Sequence, residues 1–231
     1  MQQQPEIVKD EGLKRFFNQV YGYMALGVGI TAAVAFLLNT FFQNAVLNVL
    51  ANHSWVMWVI FAGELVMVLS LSRAALKSKA QTATYFVLYS VLQGLTFTIL
   101  PWAYDLGAIT AAFLTALVVF VTMSIYGRVT SKPLQKMGRV AFMGLIGVLA
   151  ATVINIFLGS SQMEFILSYA TLVVFIILTA WDNQKLTLMY QNATETGSIP
   201  VENLAIYGAL ELYLDFINLF LSILRIFSRN N

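Results

Sequence analysis

The chain contains no cysteine and a single histidine, His53, among its 231 residues. The absence of cysteine excludes disulfides, thiolate metal sites and cysteine nucleophiles, and one histidine excludes a multi-histidine zinc site. A Gly-Lys-Ser/Thr loop that would cradle phosphates is also missing, which argues against an ATP-driven pump within this chain. Charged residues are scarce too: they make up 10% of the chain, against roughly 25% in a soluble domain.

Apolar residues dominate the composition, since 59% of the chain is hydrophobic. This composition predicts an all-α membrane protein whose main partner is the lipid bilayer. A net charge of +2, with no basic cluster interleaved with aromatics, does not favour a nucleic-acid partner. Seven stretches are close to the roughly 20 residues that cross a bilayer. They are residues 20–42, 55–72, 82–104, 107–126, 139–159, 164–183 and 203–226.

The loops between these stretches are short, so the chain is predicted to form a single seven-helix transmembrane domain over residues 20–231. Residues 1–19 precede it as a polar segment of mixed charge, which does not have the pattern of a cleavable signal peptide. Of the 13 basic residues, eleven fall on one side of the membrane if the spans alternate. Since basic loops stay inside, the N-terminus is predicted to be cytoplasmic and the protein to lie in the cell membrane.

Arg225 and Arg229 conflict with this orientation, because seven crossings place them outside. Either their side chains snorkel to lipid headgroups or the last segment does not fully cross. The length of the 203–226 stretch favours crossing.

Small residues at helical spacing predict close helix contacts, since they let backbones approach each other within lipid. One such face holds Gly27, Thr31 and Ala35, and another holds Gly147 and Ala151.

The last apolar stretch carries a polar stripe. Its members are spaced three and four residues apart, which is one face of an α-helix. An acid inside a membrane costs free energy and usually has a function. The stripe consists of Gly208, Glu211, Asp215, Asn218, Ser222 and Arg225.

Asp182, at the end of the sixth stretch, and Asp215 are the strongest candidates for a functional pair. Two carboxylates in a low-dielectric site do not both ionise easily and titrate as a unit. Such a pair would serve as a proton sensor, a proton carrier or a cation site, although the residues alone leave open whether the two side chains touch. Together with Asn218 they supply the oxygens that calcium prefers, but too few for a full shell, so any calcium site is expected to be weak.

Simpler roles remain open for these residues. Asp182 has the pattern of an interfacial acid, and Asp215 that of a protonated acid bonded to a neighbouring helix. Glu211 and the mid-span Glu64 are accessory or pore-lining candidates that are also compatible with structural roles. Arg73, at the predicted cytoplasmic end of the second span, is either a latch for these acids or one more inside-positive residue.

Several motifs resemble the transmembrane Bax inhibitor motif family, and the likeness extends over essentially the whole chain. They are Val20-Tyr21-Gly22-Tyr23-Met24, Leu92-Gln93-Gly94-Leu95-Thr96, Thr179-Ala180-Trp181-Asp182-Asn183-Gln184-Lys185 and the run from Ala209 to Leu221. The resemblance implies seven helices, with the last one central between two three-helix layers. It also implies a pH-sensitive calcium leak in which Asp182 and Asp215 sense protons and Arg73 exchanges partners with them.

The leading hypothesis is therefore a calcium leak channel gated by protonation, with calcium as a permeant or weakly bound ion and with no cofactor. A proton-coupled carrier is the first alternative, although no clear inverted repeat is visible. A non-conducting regulator of other membrane proteins is the second. An intramembrane aspartyl protease is disfavoured, because Asp215 is not preceded by the Gly-x-Gly expected of that class. No enzymatic activity is expected.

Overall fold

A computed structural model describes residues 4–53, 55–74, 78–197 and 199–229, without the side chains of residues 4–10 and 72–74. In these ranges every regular element is an α-helix, as the composition predicts. The helices are α1 (Gln4–Phe41), α2 (Gln43–Asn52), α3 (Trp55–Ala74), α4 (Lys79–Phe97), α5 (Leu100–Ala103), α6 (Leu106–Val129), α7 (Gln135–Leu158), α8 (Ser161–Thr196) and α9 (Val201–Arg229).

Each predicted span falls on one of these helices, except that the third, residues 82–104, falls on α4 and α5 together. Five helical segments are long and apolar enough to cross a membrane, or six if α2 and α3 together form one span. They are Glu11–Phe41, Lys79–Ala103, Leu106–Val129, Gln135–Leu158 and Ser161–Thr196. Helix α9 is not among them, although 29 residues at about 1.5 Å each would cross a bilayer.

Several boundaries differ from the sequence prediction. Helix α1 begins at Gln4, so most of the polar segment predicted over residues 1–19 is helical. Helix α2 was not anticipated. The third span is interrupted between α4 and α5, where Pro101 lies in the first turn of α5, a position that tolerates proline because the first amides lack intrahelical partners. Helix α8 continues to Thr196 rather than ending near residue 183, so Lys185 lies on the helix and not in a loop.

The described residues fall into two compact units. The first comprises those of Met1–Ala103 and Met189–Leu210. In it, α4 packs against both α1 and α3. The hydroxyl of Thr31 donates to the carbonyl oxygen of Ser90 at 2.9 Å, and a Cβ added to Gly27 would lie 2.6 Å from the Phe86 ring. The helix contact predicted for this face of α1 is thereby confirmed.

The second unit comprises the described residues of Tyr104–Leu188 and Glu211–Asn231. The Phe216 ring of α9 lies edge-on to Phe113 and Phe120 of α6, with ring centroids 5.4 and 5.8 Å apart. Such aromatic pairs add to the burial of apolar surface. By contrast, a Cβ on Gly147 of α7 would meet nothing within 4 Å, so the helix contact predicted at Gly147 is wrong within the described residues.

Asp105 begins α6 by capping it. Its carboxylate accepts hydrogen bonds from the backbone amides of Gly107 at 3.0 Å and Ala108 at 2.8 Å. These bonds stabilise the charged form and therefore lower the pKa of Asp105. An aspartate is among the preferred residues at this position because it satisfies amides that the helix itself cannot.

Candidate functional site

Asp182 of α8 and Asp215 of α9 meet in the second unit. The two residues are 8% and 3% exposed, and their carboxyl groups lie close enough to interact electrostatically. Two acids this close do not both ionise easily where water is scarce, so the pair is expected to titrate as a unit and to share a proton. Asp215 Oδ2 forms no hydrogen bond with any described residue.

Lys185 adds a positive charge to this pair. Its ammonium lies 3.5 Å from Asp182 Oδ1 and 2.5 Å from Glu211 Oε1, and it also lies 5.2 Å from the centroid of the Trp181 ring. Glu211 is one helical turn before Asp215, so the polar stripe of α9 brings both acids to the same stretch of α8, around Asp182 and Lys185. The site thus contains three carboxyl groups and one ammonium group.

Two glycines position the stretch of α8 that carries Asp182. A Cβ on Gly127 of α6 would lie 2.1 Å from the carbonyl oxygen of Ala180. A Cβ on Gly138 of α7 would lie 2.1 Å from the Trp181 ring. Only glycine allows these approaches, since a side chain at either position would overlap α8.

Hydrogen bonds from the residues after Asp182 also hold this part of α8 in place. The amide nitrogen of Asn183 donates to the hydroxyl of Ser124 at 3.1 Å and to the carbonyl oxygen of Thr179 at 2.8 Å. The side chain of Gln184 accepts from the backbone amide of Leu134 at 2.7 Å and donates to the carbonyl oxygen of Lys132 at 3.0 Å. The polar residues after Asp182 therefore fix α8 against α6 and the α6–α7 connection, rather than simply facing water.

The remaining predicted residues lie elsewhere or have other partners. Glu64 belongs to the first unit, where its Oε1 accepts a hydrogen bond from the hydroxyl of Thr96 at 2.8 Å. The amide nitrogen of Asn218 donates to the carbonyl oxygen of Leu214 at 2.8 Å, within its own helix. The Arg73 side chain lies outside the described residues, so its predicted latch remains a prediction.

No group of three or more His, Cys, Asp or Glu side chains within the described ranges is arranged to hold a metal ion. A weak calcium site would therefore depend mainly on the two aspartates, as the sequence predicts. Their carboxylate oxygens are suitable calcium ligands in kind but not in number, since calcium takes six to eight.

Sequence reasoning did not identify the roles of Lys185, Gly127 and Gly138. The predicted spans 164–183 and 203–226 leave Lys185 in the loop between them, although its spacing of three residues from Asp182 on a helix is a signal for an ion pair. Neither glycine lies within a predicted span, because Gly127 follows the fourth span beside Arg128 and Gly138 precedes the fifth beside Arg139. A small residue on a helix is nevertheless a general signal for close packing within membranes. That signal does not say which helix approaches which glycine.

The fold and the site define a helical membrane protein with a buried acidic cluster. The chain matches the family described as Inhibitor of apoptosis-promoting Bax1 over residues 13–231 and belongs to that family. It is 36% identical over 222 residues to an uncharacterized membrane protein of Streptococcus pyogenes serotype M1, covering 96% of both chains. It is also 36% identical over 217 residues to the inner membrane protein YbhL of Escherichia coli K12, covering 94% of this chain and 92% of YbhL.

Proposed function

We propose that this protein is a pH-sensitive calcium leak channel, gated by protonation of the Asp182–Asp215 pair. The observation that carries the proposal is that these two carboxyl groups are buried next to each other, on α8 and α9. Buried acids inside membrane proteins generally mark ion or proton pathways. The family resemblance, in which the paired aspartates sense protons, supports the same role.

Loss of the shared proton supplies the gating step. It places two negative charges in contact, and their repulsion is strong where water is scarce. The pair then separates or takes up a cation, and either change shifts α8 against α9. Arg73 would offer the released carboxylate a new partner, as the resemblance implies.

Calcium passes this site as a permeant ion and is not retained as a cofactor. Asp182 and Asp215, assisted by Glu211 and Asn218, supply oxygen ligands of the kind that calcium prefers. Conduction requires binding that is strong enough to admit the ion and weak enough to release it. A site with few ligands and a competing ammonium, that of Lys185, meets this requirement.

The proposal includes the finer architecture that the family implies. Seven spans would place α9 centrally between two three-helix layers, with the N-terminus in the cytoplasm and the protein in the plasma membrane. The distribution of basic residues supports this orientation. A leak of this kind involves protons and calcium but no catalytic chemistry, so we propose no enzymatic activity.

The direct test reconstitutes the purified protein in liposomes loaded with a calcium indicator and measures flux at a series of pH values. We expect calcium entry that depends on pH and does not exchange against internal substrate. Saturating flux with counter-exchange would instead indicate the proton-coupled carrier. Absence of flux at every pH would contradict conduction and favour the non-conducting regulator.

Replacing Lys185 by methionine is expected to raise the initial rate of calcium entry severalfold. The Lys185 ammonium forms ion pairs with the carboxylates of Asp182 and Glu211. Its removal therefore leaves these carboxylates available to a diffusible cation. Lys185→Arg keeps the positive charge and should behave like the wild type. Stopped-flow indicator measurements compare the three proteins, and melting temperatures confirm that each is folded. An unchanged or reduced rate in folded Lys185→Met would contradict this competition.

A further inference from the structure

A polar cavity lies within the second unit where α8 begins and α9 ends. Its volume is about 340 Å³, and its lining includes Ser161, Glu164 and Phe165 at the start of α8. The end of α9 contributes Arg225 and Arg229. The first residue of α8 places the helix N-terminus beside the cavity, where the helix dipole favours negative charge.

Arg229 is held in position by two contacts that leave most of its donors unused. Its Nη1 donates to the carbonyl oxygen of Ser161 at 2.9 Å, and its guanidinium lies 4.4 Å from the centroid of the Phe165 ring. An arginine has five N–H donors, so the remaining ones are available to a ligand in the cavity. The ring and the carbonyl group fix the direction in which this planar group points.

Arg225 lies one helical turn before Arg229 and lines the same cavity. Like charges four residues apart on a helix repel each other. Neither guanidinium forms an ion pair within 4 Å of an acid in the described part of the chain, although Glu164 lines the cavity with them. An anion between the two arginines would relieve their repulsion and use their donors.

These arginines are also the two basic residues that the inside-positive distribution does not explain. Their presence at the predicted outer end of α9 therefore calls for a local cause. A bound anion at the membrane surface supplies one.

We propose that this cavity binds a phosphate group, supplied by the headgroup of an anionic phospholipid. Arginine pairs recognise phosphate because their planar groups form two parallel hydrogen bonds to its oxygens. The volume is near the lower end of ordinary small-ligand sites, which suits a headgroup. Ile166 and Tyr169, on the next turns of α8, are 63% and 45% exposed and offer apolar surface to an acyl chain. Free phosphate shares the same recognition chemistry, so the test separates the two sources.

The test uses the full chain in a maltoside detergent, which carries no phosphate. Native mass spectrometry and thermal shift measure binding of phosphatidylglycerol, phosphatidylcholine and inorganic phosphate. We expect phosphatidylglycerol to be retained and to raise the melting temperature, with little effect of the other two. In Arg225→Gln the affinity for phosphatidylglycerol should fall about tenfold, since one charge-assisted contact is lost.

Two further variants make the result specific. Arg139→Gln removes an exposed arginine from the start of α7 and should leave binding unchanged. Glu164→Gln removes the one acid among the described residues that line the cavity and should strengthen binding. Equal effects of inorganic phosphate and phosphatidylglycerol would assign the site to free phosphate and retain the phosphate chemistry. No binding of either probe, or the same loss in Arg139→Gln as in Arg225→Gln, would overturn the proposal.

Discussion

Replacing Asp215 by asparagine is expected to flatten the pH dependence of calcium flux. An asparagine has nearly the same size as aspartate, and its amide can donate a hydrogen bond to Asp182, so the contact between α8 and α9 should persist. It cannot release a proton in the working range, so the change of charge that separates the pair is lost. The measurement is the initial rate of calcium entry into proteoliposomes at a series of pH values, normalised to the amount of protein.

Asp105→Asn is the matched control for this variant. It makes the same chemical change at an acid that caps α6 and lies outside the site. Asparagine also caps helices well, so the fold should be retained and the pH response should equal that of the wild type. If folded Asp215→Asn kept the wild-type pH profile, Asp215 would not be the sensor.

Gly127→Ala is expected to destabilise the protein strongly and to disturb the acidic site. The new Cβ would lie 2.1 Å from the carbonyl oxygen of Ala180. A backbone atom cannot move aside as a flexible side chain can, so α6 and α8 must separate. Overpacking of this kind typically costs about 1–3 kcal/mol. Because Ala180 is two residues before Asp182, the separation should also alter the pH response of calcium flux.

Gly147→Ala is the matched control on α7. A Cβ there meets nothing within 4 Å, and alanine favours a helix over glycine by about 1 kcal/mol. The melting temperature in detergent should therefore fall in Gly127→Ala and stay the same or rise slightly in Gly147→Ala. Equal melting temperatures for the two variants would show that the close approach at Gly127 does not limit stability.

Much of the secondary structure was predictable because the length of a run of apolar residues depends only on neighbouring positions in the chain. A run of about 20 apolar residues must satisfy its backbone hydrogen bonds internally when it lies in lipid, so it forms a helix. The boundary of α8 was not predictable in the same way. Polar residues such as Asn183 and Gln184 have the composition of a loop, and only their partners on α6 and the α6–α7 connection show why the helix continues.

The candidate site was predictable in part. The spacing of Glu211 and Asp215 placed both acids on one face of α9, and the position of Asp182 identified a plausible partner. The role of Lys185 was missed, because a basic residue near a helix end is equally typical of a cytoplasmic loop. The sequence favoured the wrong glycine as a helix contact, since Gly147 lies within a predicted apolar span and Gly127 lies just after one, beside Arg128. The two differ in their surroundings. A Cβ on Gly127 would collide with the backbone of α8, whereas a Cβ on Gly147 would meet no described atom within 4 Å.

The amino-acid sequence by itself determined the membrane class, the helical segments and the presence of acids in an apolar context. These features follow from hydropathy and helical periodicity, which depend on residues close together in the chain. The tertiary structure decided that Asp182 lies next to Asp215, that Lys185 joins them, and that Arg225 and Arg229 share a cavity. Such contacts join residues far apart in the chain, and the packing of whole helices sets their distances.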